Sequence, residues 1–188
     1  MRLFVAIEIP EDVRSALGDL MKSLRGTCRN ARWVRIAGLH VTLKFIGETP
    51  PQRVAELKVA LGRIPSSPFI VLNFRGLDFF PNARRPRVLW ADVEAGPDLG
   101  ALASAVEKAL SPAGIPQEER KFSPHLTLAR FKESAGVDAL QVAIEKAGPQ
   151  KFGSATAKEF HLYQSVLKPG GAEYTRLATF SLSGSTSE

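Results

Sequence analysis

Residues 3–9, LFVAIEI, alternate and are rich in β-branched and aromatic side chains, which predicts a strand. Val13, Leu17, Leu20 and Leu24 then fall on one stripe of EDVRSALGDLMKSL, predicting a helix over 11–24. Glu11 and Asp12 lie in its first turn, where the helix dipole favours acids. A strand over 39–46, LHVTLKFI, comes next. Val54, Leu57, Leu61 and Ile64 step by three, four and three, as a helix face requires, and 69–79, FIVLNFRGLDF, reads as strand again.

The same order then returns. Residues 87–93, RVLWADV, predict a strand, and PDLGALASAVEKAL puts Leu99, Leu102, Val106 and Leu110 on one helical face. Residues 124–131, PHLTLARF, predict a strand, and Val137, Leu140, Ile144 and Ala147 repeat the steps of three, four and three. EFHLYQSVL, 159–167, closes the copy as a strand. The pattern is β-α-β-α-β written twice, over roughly 1–80 and 86–170. A final strand over 174–182 follows a turn at Pro169-Gly170-Gly171, and the tail SGSTSE is expected to fray. The expected fold is α+β, a single bilobal domain spanning 1–188. Two pseudo-symmetric lobes turn antiparallel sheets toward each other across a central cleft, with the helices outside.

Identity between the halves is low except where both write His-x-Thr-Leu, and two of the three histidines stand there. Alternate residues of a strand share a face, so His40 goes with Thr42 and His125 with Thr127. Val41, Leu43, Leu126 and Leu128 point the other way and suit packing under helices. One His-x-Thr is ordinarily a histidine hydrogen-bonded for structure. Two copies at equivalent places line a cleft with two imidazoles and two hydroxyls. Imidazole titrates near neutrality, so one can take a proton from water while the other gives one to a leaving oxygen. The hydroxyls can hydrogen-bond phosphate oxygens as charge builds on them. His161, with no Thr two residues on, is expected to be a solvated or structural strand residue.

Composition narrows the setting. The net charge of +6, from 25 Lys and Arg against 19 acids, favours an anionic partner. A lone cysteine, Cys28, excludes an internal disulfide and a cysteine-rich zinc site. No apolar run is long enough for a membrane span, and MRLFVAIEIPED reads as a first strand, not a signal peptide. A cytoplasmic monomer is the expectation. Basic clusters precede the key strands: Arg32-Trp33-Val34-Arg35, Asn82-Ala83-Arg84-Arg85-Pro86-Arg87 and Arg120-Lys121-Phe122. They suit an RNA end, whereas Trp33 and Phe122 are expected to pack.

HVTL and HLTL, with RLFVAIEIP, RVLW, SPHLTLARF and LYQSVLKPGGAEY around them, resemble the two-histidine (2H) phosphoesterase family, in its LigT-like branch of RNA 2′,3′-cyclic phosphodiesterases. The resemblance runs from Arg2 to about Leu182. It implies metal-independent, cofactor-free opening of an RNA 2′,3′-cyclic phosphate to a 2′-phosphomonoester, and in some members reversible 2′-5′ joining of tRNA halves. It implies His40 as proton donor, His125 as proton acceptor, and Thr42 and Thr127 as phosphate contacts. Arg130 matches a family arginine, but simple alternation puts it opposite His125 unless a bulge intervenes. Lys44 departs from the small residue usual there; counting by twos, it points into the cleft.

Three other readings compete. A phosphodiesterase acting on small cyclic-phosphate nucleotides differs only in substrate size. A non-catalytic nucleotide or RNA-end binding module would lack a catalytic group, and both motifs are intact. A metal-dependent hydrolase would need acids that neither motif supplies.

Overall fold

The computed structural model describes residues 1–133, 136–169 and 171–183. Nine strands and four α-helices follow one another among them. In chain order they are β1 (Arg2–Glu8), α1 (Glu11–Leu24), β2 (Ala31–Trp33), β3 (His40–Glu48), α2 (Val54–Gly62), β4 (Ile70–Phe80) and β5 (Val88–Ala95). Then come α3 (Pro97–Leu110), β6 (His125–Phe131), α4 (Val137–Ala147), β7 (Lys151–Ala157), β8 (Glu159–Lys168) and β9 (Gly171–Ser181). The expected turn at 169–171 includes Gly170, and most of the tail expected to fray follows Ser183; those residues lie outside the described set.

The strands form two antiparallel sheets, in the orders β3-β1-β8-β9 and β2-β6-β5-β4-β7. Each sheet therefore takes strands from both halves of the chain: β8 pairs with β1, and β4 pairs with β5. The helices cross over as well. Helix α1 lies against β7 and α4, while α3 lies against β3 and α2. The sheets approach one another at β3 and β6, the two strands that carry the His-x-Thr motifs.

Alternation along the strands sends one set of side chains under the helices. Leu3, Val5, Ile7, Val41 and Leu43 of the first sheet join Leu72, Phe74, Leu89, Val93, Leu126 and Leu128 of the second in one continuous core. Leu17, Leu57, Leu102 and Leu140 enter it from the four helices. Burying one such side chain contributes about 2 kcal/mol, against a few tenths from helix propensity at a position, so packing of the apolar stripe holds each helix. The other face of the first sheet carries His40 and Thr42 beside Phe4, Ala6 and Tyr163, and that of the second carries His125 and Thr127. Among the described residues no helix is long and apolar enough to cross a membrane.

Strands β2 and β7 are absent from the sequence expectation. KFGSATA buries only Phe152 and Ala157, so its apolar alternation is too sparse to announce a strand. Gly153 in it adopts φ +124°, and a Cβ there would stand 3.1 Å from Val13 of α1. The glycine lets helix and strand approach closely.

Candidate active site

The same local device positions both histidines. The Nδ1 of His40 lies 2.6 Å from the carbonyl oxygen of Gly38, two residues back. The Nδ1 of His125 lies 2.8 Å from the carbonyl oxygen of Ser123, again two residues back. A carbonyl only accepts, so each Nδ1 carries the hydrogen and each Nε2 is left with its lone pair when the ring is neutral. Thr42 and Thr127 are half-buried on the same faces as their histidines.

Each strand then bulges one residue past its threonine. In β3, Thr42 pairs with Ala6 and Lys44 with Val5, so Leu43 is the extra residue. In β6, Thr127 pairs with Trp90 and Ala129 with Leu89, so Leu128 is the extra residue. An inserted residue inverts the alternation beyond it. Arg130 thereby comes round to the face of His125, where it is exposed. Lys44 goes the opposite way, which corrects the expectation that it points into the cleft. Its side chain is 6% exposed, with Nζ 2.8 Å from the Glu107 carboxylate on α3 and 2.7 Å from the Pro116 carbonyl. The residue that takes the cleft position instead is Phe45, 62% exposed.

The two histidines have different surroundings. The His40 ring stacks on Phe4, with centroids 4.6 Å apart, and meets the edge of Tyr174 at 5.2 Å. Burial among these rings pushes the imidazole down to about 4; the Gly38 carbonyl opposes the shift and the Arg14 guanidinium adds to it. Arg14, on α1, also donates to the Ile36 carbonyl at 2.9 Å and so holds the short 3₁₀ turn, Ile36–Gly38, that presents the Gly38 oxygen. A Cβ on Gly38 would stand 2.6 Å from the Tyr174 ring, so a larger residue there would displace the ring that faces His40. His125 is exposed, with the edge of Trp90 5.8 Å away.

Cross-strand partners complete the picture. In the strand register Glu8 pairs with His40 and Asp92 with His125, one acidic residue opposite each histidine. Glu8 is engaged by Arg176 at 2.6 Å. Arg32 of β2 pairs with Arg130 of β6, and both are exposed. Like charges directly opposite on one face repel, an arrangement suited to an anion between them. Phe4, Tyr174, Trp90, Glu8 and Asp92 all escaped the sequence reading, because only the pairing register shows what stands beside a motif residue.

Trp33 and Phe122 pack partly buried against the core, as expected, and Arg84, Arg85, Arg87, Arg120 and Lys121 are exposed. His161 is buried, not solvated: its Nδ1 lies 3.0 Å from the Thr179 hydroxyl, a structural contact. Among the described residues no three His, Cys, Asp or Glu side chains come together in a way that could hold a metal ion.

The chain matches the 2′-5′ RNA ligase superfamily over residues 9–168. It is similar to an RNA 2′,3′-cyclic phosphodiesterase of Thermus thermophilus, 37% identical over 98% of this chain and 91% of that protein. It is also similar to one of Archaeoglobus fulgidus, 32% identical over 96% of this chain and 99% of the other. The crystal structure of E. coli LigT complexed with 3′-AMP superposes with a TM-score of 0.79 at 28% identity, over 97% of this chain and 98% of LigT.

Proposed function

The chain belongs to the 2′-5′ RNA ligase superfamily, and on that footing we propose that it opens the 2′,3′-cyclic phosphate at the end of an RNA strand. The observation that carries the reading is the matched pair of imidazoles, each held through Nδ1 by a backbone carbonyl with Nε2 left for the substrate. The relatives' activity and the nucleotide in the LigT complex support it. No metal enters, because the two imidazoles supply both proton transfers.

His125 Nε2 takes a proton from water as the water oxygen attacks phosphorus in line with the 3′ oxygen. His40, protonated, gives its Nε2 proton to that departing oxygen, and the 2′ ester bond survives. The hydroxyls of Thr42 and Thr127 donate to the non-bridging oxygens, where charge accumulates, and Arg130 balances that charge. The burial that lowers the His40 imidazole makes its protonated form a strong acid. An anionic phosphate seated against it favours that protonated form. With the 5′ hydroxyl of a second RNA in place of water, the same steps make a 2′-5′ linkage, and their reversal breaks it. The protein acts as a cytoplasmic monomer, with RNA ends, tRNA fragments among them, as its partners.

The test is incubation with a short RNA ending in a 2′,3′-cyclic phosphate, in EDTA, followed by identification of the product end. A 2′-phosphate is expected. A 3′-phosphate, or activity abolished by the chelator, contradicts the mechanism.

A further inference from the structure

On the mechanism proposed above, the attacking oxygen meets phosphorus opposite the departing 3′ oxygen and lies against His125. Whatever carries that oxygen runs away from phosphorus, over the sheet that holds His125. Water carries nothing, but an RNA end with a 5′ hydroxyl brings a nucleoside. Trp90 of β5 turns its edge to the His125 ring, with centroids 5.8 Å apart. In register it stands between Thr127 of β6 and Asp78 of β4, and Phe80 follows two residues after Asp78. Leu77, Phe79 and Leu89 turn to the core, so alternation puts Asp78, Phe80 and Trp90 on the face of Thr127. Diagonal neighbours on one face lie about 7–8 Å apart, so Trp90 and Phe80 form a pair of rings leading outward from His125. Phe80 keeps 55% of its surface in water, a costly place for a phenyl ring. Charge is sorted along the same path. Asp92 opposes His125 in register and Asp78 opposes Trp90. Past Phe80, the Asn82 side chain accepts from the backbone N–H groups of Arg84 and Arg85, at 3.0 and 3.1 Å, and so fixes a loop on which both arginines are exposed.

We propose that Trp90 and Phe80 form the subsite for an attacking nucleoside, the 5′-hydroxyl end of a second RNA strand, with Phe80 as the platform for its base. The inference rests on the cyclic-phosphate reading of the site and places its second substrate. The 5′ oxygen bonds to phosphorus as the bond to the 3′ oxygen breaks. His125 takes the proton of the 5′ hydroxyl and His40 gives one to the 3′ oxygen, which leaves a 2′-5′ diester and a free 3′ hydroxyl. Carboxylates accept from ribose hydroxyls and repel phosphate, so Asp92 and Asp78 admit a 5′-hydroxyl end and turn away a 5′-phosphorylated one. Arg84 and Arg85 meet the first internucleotide phosphate of the incoming strand. Hydrolysis uses none of these contacts, so the platform governs the choice between water and RNA and not the opening of the ring.

Product partition tests this in the wild type, Phe80→Ala and Phe80→Trp, with Phe69→Ala as an exposed aromatic control. Adenosine 2′,3′-cyclic phosphate is incubated with adenylyl-(3′-5′)-adenosine, which has a free 5′ hydroxyl, or with methanol, an alcohol without a base. The diester and 2′-phosphate products are separated by chromatography. Phe80→Ala is expected to lower the ratio of 2′-5′ diester to 2′-phosphate roughly tenfold, with hydrolysis in the absence of acceptor within about twofold. The methanol ratio stays unchanged, Trp restores the dinucleotide ratio, and Phe69→Ala changes nothing. An equal loss with methanol, an unchanged ratio with the dinucleotide, or a wild type that hydrolyses normally but makes no 2′-5′ diester overturns the proposal and leaves the cyclic-phosphate reading standing. Calorimetry of the same dinucleotide reads the subsite without turnover. A wild type that binds it tenfold more tightly than Phe80→Ala yet opens no cyclic phosphate sinks the catalytic reading and supports the nucleoside subsite.

Discussion

Strands β3 and β6 carry the same phrase, bulge at the same place and hold their histidines by the same carbonyl device, yet the rings around the histidines and the residues past the bulge differ. His40 stacks on a buried phenylalanine, and His125 stands exposed beside the edge of a tryptophan. Past the bulge, β3 sends a lysine inward and a phenylalanine outward, whereas β6 sends an alanine inward and an arginine outward. A pseudo-symmetric scaffold fixes the position of two identical groups. On the mechanism proposed above, the differing neighbours poise one group as acid and the other as base, since the two must be poised differently to act at the same pH.

The sharpest way to break the comparison is to remove either imidazole. His40→Ala and His125→Ala are each expected to cost 10²–10⁴ in kcat, on the order of what general acid or base catalysis supplies, and the double variant to lose less than the product. Single-turnover rates measure this, and a near-normal rate in either variant would show that one imidazole does not act.

The next largest effect concerns the inward residue of β3. Lys44 ties the first motif strand to Glu107 and Pro116, and the same Glu107 carboxylate accepts from the backbone N–H of Glu118, at 3.2 Å, in the segment leading to β6. Removing one partner of a buried ion pair costs about 3–5 kcal/mol, because the other charge is left stranded. Lys44→Met is therefore expected to lose about 3 kcal/mol in urea unfolding, and Lys44→Met with Glu107→Leu to recover most of it. Equal losses in the single and double variants would mean that the ion pair is not what the fold depends on.

A third difference shows in pH. The unfolded chain holds its imidazole near 6.5, and folding lowers His40 to about 4. Between those values the unfolded state binds the more protons. The His40 contribution is thus complete above about pH 6.5 and is lost as pH falls through about 4, on the order of 3 kcal/mol in all. The stability difference between the wild type and His40→Asn, followed from pH 7 to pH 4, should shrink; a constant difference would contradict the buried, neutral ring.

The smallest effect belongs to the basic side of the cleft. Arg32→Gln is expected to raise KM for an RNA oligonucleotide a few-fold, and to flatten the log–log salt dependence of binding by about 0.7, one phosphate contact on a single strand. Cyclic mononucleotides should not notice the change. If they lose equally, Arg32 serves the reacting phosphate and the preference for RNA must come from elsewhere.

Much of this was legible in the chain. The helices α1, α3 and α4 run where the apolar steps put them, and both His-x-Thr strands were read from alternation alone. Alternation put both Lys44 and Arg130 on the wrong face, because a bulge changes the phase and leaves no mark in residue type; for Arg130 a bulge was the stated way round, and the register supplies it. The crossing of strands and helices between the halves was hidden too, since a repeat shows which elements recur but not which copy each one packs on. Of the two expectations for His161, solvated or structural, the structure takes the second; periodicity could not choose because it cannot tell the open face of a sheet from a covered part of it.

The central claim is that both imidazoles present Nε2 to the substrate and that His40 gains its proton only when the phosphate arrives. Nitrogen-15 NMR of the histidine side chains at pH 7, without and with adenosine 2′-monophosphate, tests it most directly. In the free protein the account predicts a neutral His40 ring with hydrogen on Nδ1, and on binding a shift of its Nε2 toward the protonated value. A free His40 that is already charged, or that carries its hydrogen on Nε2, would contradict the account.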